Sequence, residues 1–115
     1  MASQQQCESG LRSLIERIGT IDPQVRKKYA MTRSISLRVP DLAIVFLATL
    51  DGDVVDELRC LEGRDNGGAQ VRLAAESDDL VALLAGSVAP AVAWATGRLR
   101  IEASMLDLLK LRSLL

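Results

Sequence analysis

From Arg33 onward the apolar residues recur at every second position, with Ile35, Leu37 and Val39 on one side and Ser34, Ser36 and Arg38 on the other. That alternation predicts a strand with one buried and one solvated face, broken at Pro40-Asp41 because proline cannot donate to a ladder. Residues 42–50 are apolar on both sides, Ile44, Phe46 and Ala48 against Ala43, Val45 and Leu47, so this second strand is expected to be covered on both faces. Asp51-Gly52 is hairpin-turn chemistry leading into a third strand, residues 54–61, on which Val54, Leu58 and Cys60 are expected to share a face. Residues 62–68 read as a loop with a second tight turn at Asn66-Gly67, after which Val71, Leu73 and Ala75 mark a fourth strand. A fifth follows Gly97, where Leu99, Ile101 and Ala103 alternate with Arg98, Arg100 and Glu102.

Elsewhere the period lengthens to that of a helix. Leu11, Leu14, Ile15 and Ile18 fit one buried stripe of a helix starting near Gly10 and capped by Ser9, which leaves residues 1–9 as a polar, flexible tail before a single domain over residues 10–115. Asp22-Pro23 opens a short helical turn that groups Arg26, Lys27 and Lys28. Ser77 reads as the cap of another helix, with Asp78 and Asp79 on its positive end and Leu80, Leu83 and Leu84 along one face. Gly86 suits the left-handed stop, and Pro90 the first turn of an uncharged helix that runs to Thr96. The last helix, from about Ser104, has Leu106, Leu108, Leu109, Leu111, Leu114 and Leu115, more leucine than one buried stripe needs. A run of four strands followed by helices, strand and helix predicts an α+β fold on a five-stranded, mainly antiparallel sheet.

Composition narrows the function. The 115 residues are 49% hydrophobic with only Tyr29, Phe46 and Trp94 aromatic, so the core is expected to be aliphatic and smooth-walled. Net charge is -1, which gives the whole molecule no pull on nucleic acid, although residues 1–39 are basic and residues 40–80 acidic. No apolar run reaches the roughly 18 residues that span a bilayer. The first ten residues have no basic-then-apolar pattern, so no signal peptide and a cytoplasmic location are expected.

Chemistry-bearing patterns are sparse. Two cysteines, Cys7 and Cys60, stand without a CxxC pair and the chain has no histidine, so the common zinc patterns have no ligands and a serine nucleophile has no imidazole to activate it. Asp51, Asp53 and Asp56 lack the ligand number and terminal glutamate of a calcium loop, and Gly63, Gly67 and Gly68 are not followed by a Lys-Ser or Lys-Thr pair. No catalytic residue, metal or cofactor is therefore assigned, while acid or base chemistry by a carboxylate stays open. Trp94, among Ala91, Val92, Ala93 and Ala95, is either a core anchor or one wall of a space for an apolar molecule. Arg26, Lys27 and Lys28 are either a solvated cluster or a transient contact with a membrane surface.

Gly86, Pro90, Ala93, Trp94 and Gly97, followed by Arg98-Leu99-Arg100-Ile101, resemble the signature of the sterol carrier protein type 2 family. The order of strand and helix from Val71 to Leu84 is similar too, and the resemblance spans residues 35–112. Ala103 departs from a frequent second glycine and Thr96 from a larger polar residue, and the chain ends Ser113-Leu114-Leu115 without a peroxisomal Ser-Lys-Leu address. The resemblance implies helices packed on one face of the sheet, an apolar tunnel between the two layers, and binding of sterols, acyl chains or similar lipids without altering them. Phe46, Leu80, Leu84, Val88, Trp94, Ile101, Leu108 and Leu109 are the expected lining. The alternatives are a dimerisation or accessory module, pairing as a homodimer through residues 105–115, and an enzyme that folds or cyclises a reactive substrate in the cavity.

Overall fold

In the computed structural model of the chain, residues 1–19, 24, 32–51, 54–63, 65 and 67–114 are described. The Arg26, Lys27 and Lys28 cluster, Gly52, Asp53 and Asn66 lie outside them. The elements are α1 (Gln4–Gly19), β1 (Arg33–Val39), a 3-10 turn (Pro40–Leu42), β2 (Ile44–Asp51), β3 (Val54–Glu62), β4 (Val71–Ala75), α2 (Ser77–Leu84), α3 (Pro90–Ala95), β5 (Leu99–Glu102) and α4 (Met105–Leu114). The fold is α+β, on one five-stranded sheet in the order β3-β2-β1-β4-β5. The sheet is mixed but mainly antiparallel: only the central pair, β1 with β4, is parallel.

Register sorts the side chains onto two faces. Leu37 pairs with Phe46 and with Leu73, Phe46 with Cys60, and Leu73 with Ile101, so these apolar residues share one face. On it, Leu37, Val39, Ile44, Phe46 and Ala75 form the core with Cys7 and Ala2 at the start of the chain and Leu80 of α2. Burying a side chain the size of Phe46 contributes about 1.5–3 kcal/mol, so this layer holds the helices to the sheet. The doubly covered second strand is confirmed for Ile44, Val45 and Phe46, all buried, while Leu47 to Leu50 are half-buried.

Three local expectations are corrected. Residues 1–9 are no loose tail: Ser3 and Gln6 cap α1 reciprocally, the Ser3 amide donating to Gln6 Oε1 at 2.8 Å and the Gln6 amide to Ser3 Oγ at 3.1 Å. The helix consequently starts at Gln4 and carries Cys7 into the core, fully buried, while Leu14, expected in the buried stripe, is 36% exposed. On β3 it is Val55, opposite Leu50, that shares the face of Leu58 and Cys60, and Val54 turns outward at 51% exposure. The cause is a bulge at Glu57, whose φ of 58° sets one extra residue into the strand.

The third correction concerns Ser77, which is the first residue of α2 and not its cap. The cap is the carboxylate of Asp41, 36 residues away in the 3-10 turn: Asp41 Oδ1 accepts the Ser77 amide at 2.9 Å and Oδ2 accepts the Ser77 hydroxyl. Ser77 Oγ in turn accepts the Ala2 amide at 3.1 Å. At the other end of α2 the amides of Gly86 and Ser87 return to the carbonyls of Leu83 and Ala82, with Gly86 at a φ of 78° as anticipated.

Burial alone raises the proton affinity of Asp41, but the hydrogen bonds from the Ser77 hydroxyl and amide outweigh it and hold the carboxyl below its usual value. A carboxyl lowered in the folded state stabilises the fold fully above its unfolded pKa of about 4, and that contribution is lost as pH falls through the folded value. Asp41→Ala is expected to cost about 1–2 kcal/mol in urea unfolding at neutral pH. The same variant should show a flatter loss of stability between neutral and acid pH than the parent protein.

Candidate functional site

The inner face of the sheet continues beyond its closed centre into a half-buried apolar margin. Phe46 and Leu80 are 2% and 4% exposed and belong to one cluster, against which Leu84 packs. Leu84 closes on α1 at Gly10, where an added Cβ would come within 2.7 Å of Leu84 Cδ1, so the missing side chain at Gly10 is what lets the two helices meet. Arg17 of α1 also donates to the Leu84 carbonyl at 3.1 Å. Ile101 pairs with Leu73 on the same face of the sheet and is half-buried. Val88, in the link between α2 and α3, and Trp94, on α3, are half-buried as well, while Ala93 beside Trp94 is fully packed.

The structure thus gathers Phe46, Leu80 and Leu84 and sets Ile101 one strand beyond Leu73. Leu108 is half-buried on α4, but Leu109 is 56% exposed, along with Met105 at 72% and Leu106 at 79%. The reason is the neighbouring Asp107, 5% exposed and gripped by Arg33 from the start of β1: Nε donates to Oδ2 at 2.9 Å and Nη2 to Oδ1 at 3.1 Å. Steps of about 100° per residue put positions two before and two after an inward residue on the opposite side of a helix, which is where Met105 and Leu109 lie. Hydrogen bonding to Asp107 also raises the proton affinity of Arg33, which keeps the guanidinium charged throughout.

Neither Gly10 nor the Arg33–Asp107 fork was among the sequence candidates. Both left a trace in the pattern. Arg33 stands in phase with the inward set Ile35, Leu37 and Val39, and Asp107 is a lone charge between Leu106 and Leu108. A charge placed on an apolar face needs a partner, and the two in question have opposite sign.

Chemically the margin offers contact and little else. Burial, followed by the charge of nearby Asp41, raises the thiol of Cys7 above its usual value, and burial with the charge of Glu8 does the same for Cys60, so both stay protonated at neutral pH. Among the described residues no cluster of three or more His, Cys, Asp or Glu is arranged to hold a metal ion. None of the described helices is long and apolar enough to cross a membrane.

The fold is thus an α+β sheet with helices over one apolar face, and the candidate site is made of aliphatic contacts. The model of the SCP-2 sterol transfer family matches residues 11–115, and the chain belongs to that family. No curated protein matches it closely enough in sequence to count as a relative. Among solved structures it is similar to sterol carrier protein 2 like 2 from Aedes aegypti, with a TM-score of 0.65 and 14% identity over 97% of this chain and 98% of that one. A crystal structure of a sterol carrier protein 2 gives a TM-score of 0.65 at 18% identity, covering 93% of this chain and 84% of the other. The palmitated form of the Aedes aegypti protein, solved by NMR, gives 0.64 at 14% identity, covering 98% and 94%. At such identities the structural likeness speaks for the fold.

Because the Arg33 fork fixes α4 to the sheet, Arg33→Ala is expected to speed amide hydrogen exchange across residues 105–109 while leaving the slowest exchange of β1, β2 and β4 in place.

Proposed function

We propose that this protein is a non-enzymatic carrier that binds a hydrophobic small molecule, a sterol, fatty acyl chain or similar lipid, in an apolar space between the sheet and its helices. The observation that carries the reading is a set of apolar side chains that the core leaves half-buried: Leu84, packed against the cluster of Phe46 and Leu80, Ile101, on the same face of the sheet, and Val88, Trp94 and Leu108 in the segments that follow α2. Membership of a sterol transfer family supports it, as does a relative of the same fold that is palmitated. The mechanism is burial, with each methylene taken from water contributing about 0.8 kcal/mol, so a chain of moderate length is held without a strong polar contact. Phe46 and Leu80 would form the floor and Leu84, Val88, Trp94, Ile101 and Leu108 the lining, with α4 as a lid; Leu109, expected in the lining, is turned away from the sheet and takes no part in it.

Titration with palmitate, cholesterol and a quinone is expected to change Trp94 emission saturably for at least one of them, with the matching mass retained in native mass spectrometry. Leu84→Ala should weaken that binding by about tenfold, the loss expected for roughly 1.4 kcal/mol of apolar contact. If no sterol, acyl chain or quinone binds, the carrier reading fails.

The exposure of Met105, Leu106 and Leu109 favours a second reading, in which α4 meets another copy of the chain. On that reading the protein elutes as a dimer from a sizing column, and Leu106→Lys with Leu109→Lys returns it to a monomer. A monomeric parent protein removes it.

A further inference from the structure

The outer face of the sheet, turned away from the helices, has a cleft of its own. Two rows of cross-strand partners run side by side over β1, β4 and β5: Arg38, Ala74 and Arg100 in one, Ser36, Arg72 and Glu102 in the other. These six residues and Leu73 line a cavity of about 90 Å³, room for a small ion with several waters and too little for a lipid. Its floor is made by the two smallest side chains of the rows, with Ala74 at 7% and Ser36 at 1% exposure. Strands lie about 4.8 Å apart, which sets Arg38 and Arg100 roughly 10 Å from each other across Ala74, with Arg72 in the next row.

The polar groups of this cleft are incompletely used. The Ser36 side chain is buried, lines the cavity, and has no hydrogen bond among the described residues. Arg38 and Arg100 likewise have no ion pair or side-chain hydrogen bond among the described residues. Arg72 is partly engaged, with Nε 3.5 Å from Glu102 Oε2 and Nη1 donating to the Ala69 carbonyl at 3.3 Å. Three guanidinium groups facing one glutamate leave net positive charge in a concave site, an arrangement that costs stability when no anion answers it. Guanidinium forks and a hydroxyl donor at the base suit a compact oxyanion with several acceptor oxygens.

We propose that Ser36, Arg38, Arg72 and Arg100 form a binding site for a phosphate-monoester oxyanion, separate from the apolar layer on the other side of the sheet. Glu102 limits its affinity by holding Arg72 and by repelling the anion. The same chemistry is offered by a soluble phosphate monoester and by the headgroup of phosphatidic acid at a membrane surface.

The test is a titration of the isotope-labelled full chain with inorganic phosphate at constant ionic strength, followed by NMR, with chloride as the control. Saturable shifts at the amides of Ser36, Arg72, Ala74 and Arg100 are expected, weakened about tenfold by Arg38→Gln or Arg100→Gln. Ser36→Ala should weaken them too, and Glu102→Gln should strengthen them, a gain that loss of structure would not produce. Shifts that chloride reproduces, or that persist in the Arg38→Gln, Arg100→Gln double variant, overturn the site. Co-sedimentation with phosphatidylcholine vesicles containing phosphatidic acid then separates the sources. Sedimentation that inorganic phosphate suppresses assigns the site to the headgroup, and phosphate binding without sedimentation assigns it to a soluble monoester. Absence of both also overturns the proposal. Because inorganic phosphate carries no acyl chain, the outcome of its titration is independent of whether the inner face binds lipid.

Discussion

The carboxylate of Asp41 joins three parts of the chain that are far apart in sequence: the turn between β1 and β2, the first residue of α2, and, through Ser77, the amide of Ala2 ahead of α1. Each contact satisfies a backbone or hydroxyl group that has no water to turn to, since Ser77 is fully buried. A polar junction of this kind holds its members in one arrangement, because any displacement leaves donors unmet. From it follows the course of α2, which delivers Leu80 into the core and Leu84 to the notch at Gly10.

A second constraint acts at the opposite end of the same layer. Arg33 and Asp107 settle which side of α4 faces the sheet, and so which leucines are withheld from it. The helical layer is therefore positioned by two carboxylates, while the apolar contacts between them supply most of the energy without dictating register. The strand ladder divides the remaining work. One face is given to aliphatic contact and the other, one residue out of phase along each strand, to arginine and serine.

Much of the architecture was legible in the residues because its signals are local. Period-two alternation located β1, β4 and β5, Gly86 and Pro90 separated α2 from α3, and Gly97 marked the return to the sheet. Two kinds account for most of what escaped. Ser77 looked like a cap because it precedes two aspartates, but the group that caps α2 comes from Asp41, and a partner 36 residues away leaves no imprint on the spacing around Ser77. The bulge at Glu57 was hidden because a left-handed residue is usually glycine or asparagine, and a glutamate there gives no warning. The start of α1 belongs to neither kind: Ser3 and Gln6 carry the spacing of a reciprocal cap, and the polar composition around them masked it. For the apolar margin, sequence periodicity identified apolar residues but not which of them the core leaves half-covered, which on α4 depends on the rotation of the helix.

The two outermost strands have a further consequence. β3 and β5 end the sheet, and an end strand offers its unpaired amides and carbonyls to any other chain. β5 is only four residues long, with Arg100 and Glu102 on its open side, and β3 is bent by the Glu57 bulge between Asp56 and Arg59. A copy trying to extend the sheet meets too short a template at one end and a twisted, charged one at the other. Both ends of the sheet are thereby poor templates for growth by strand addition.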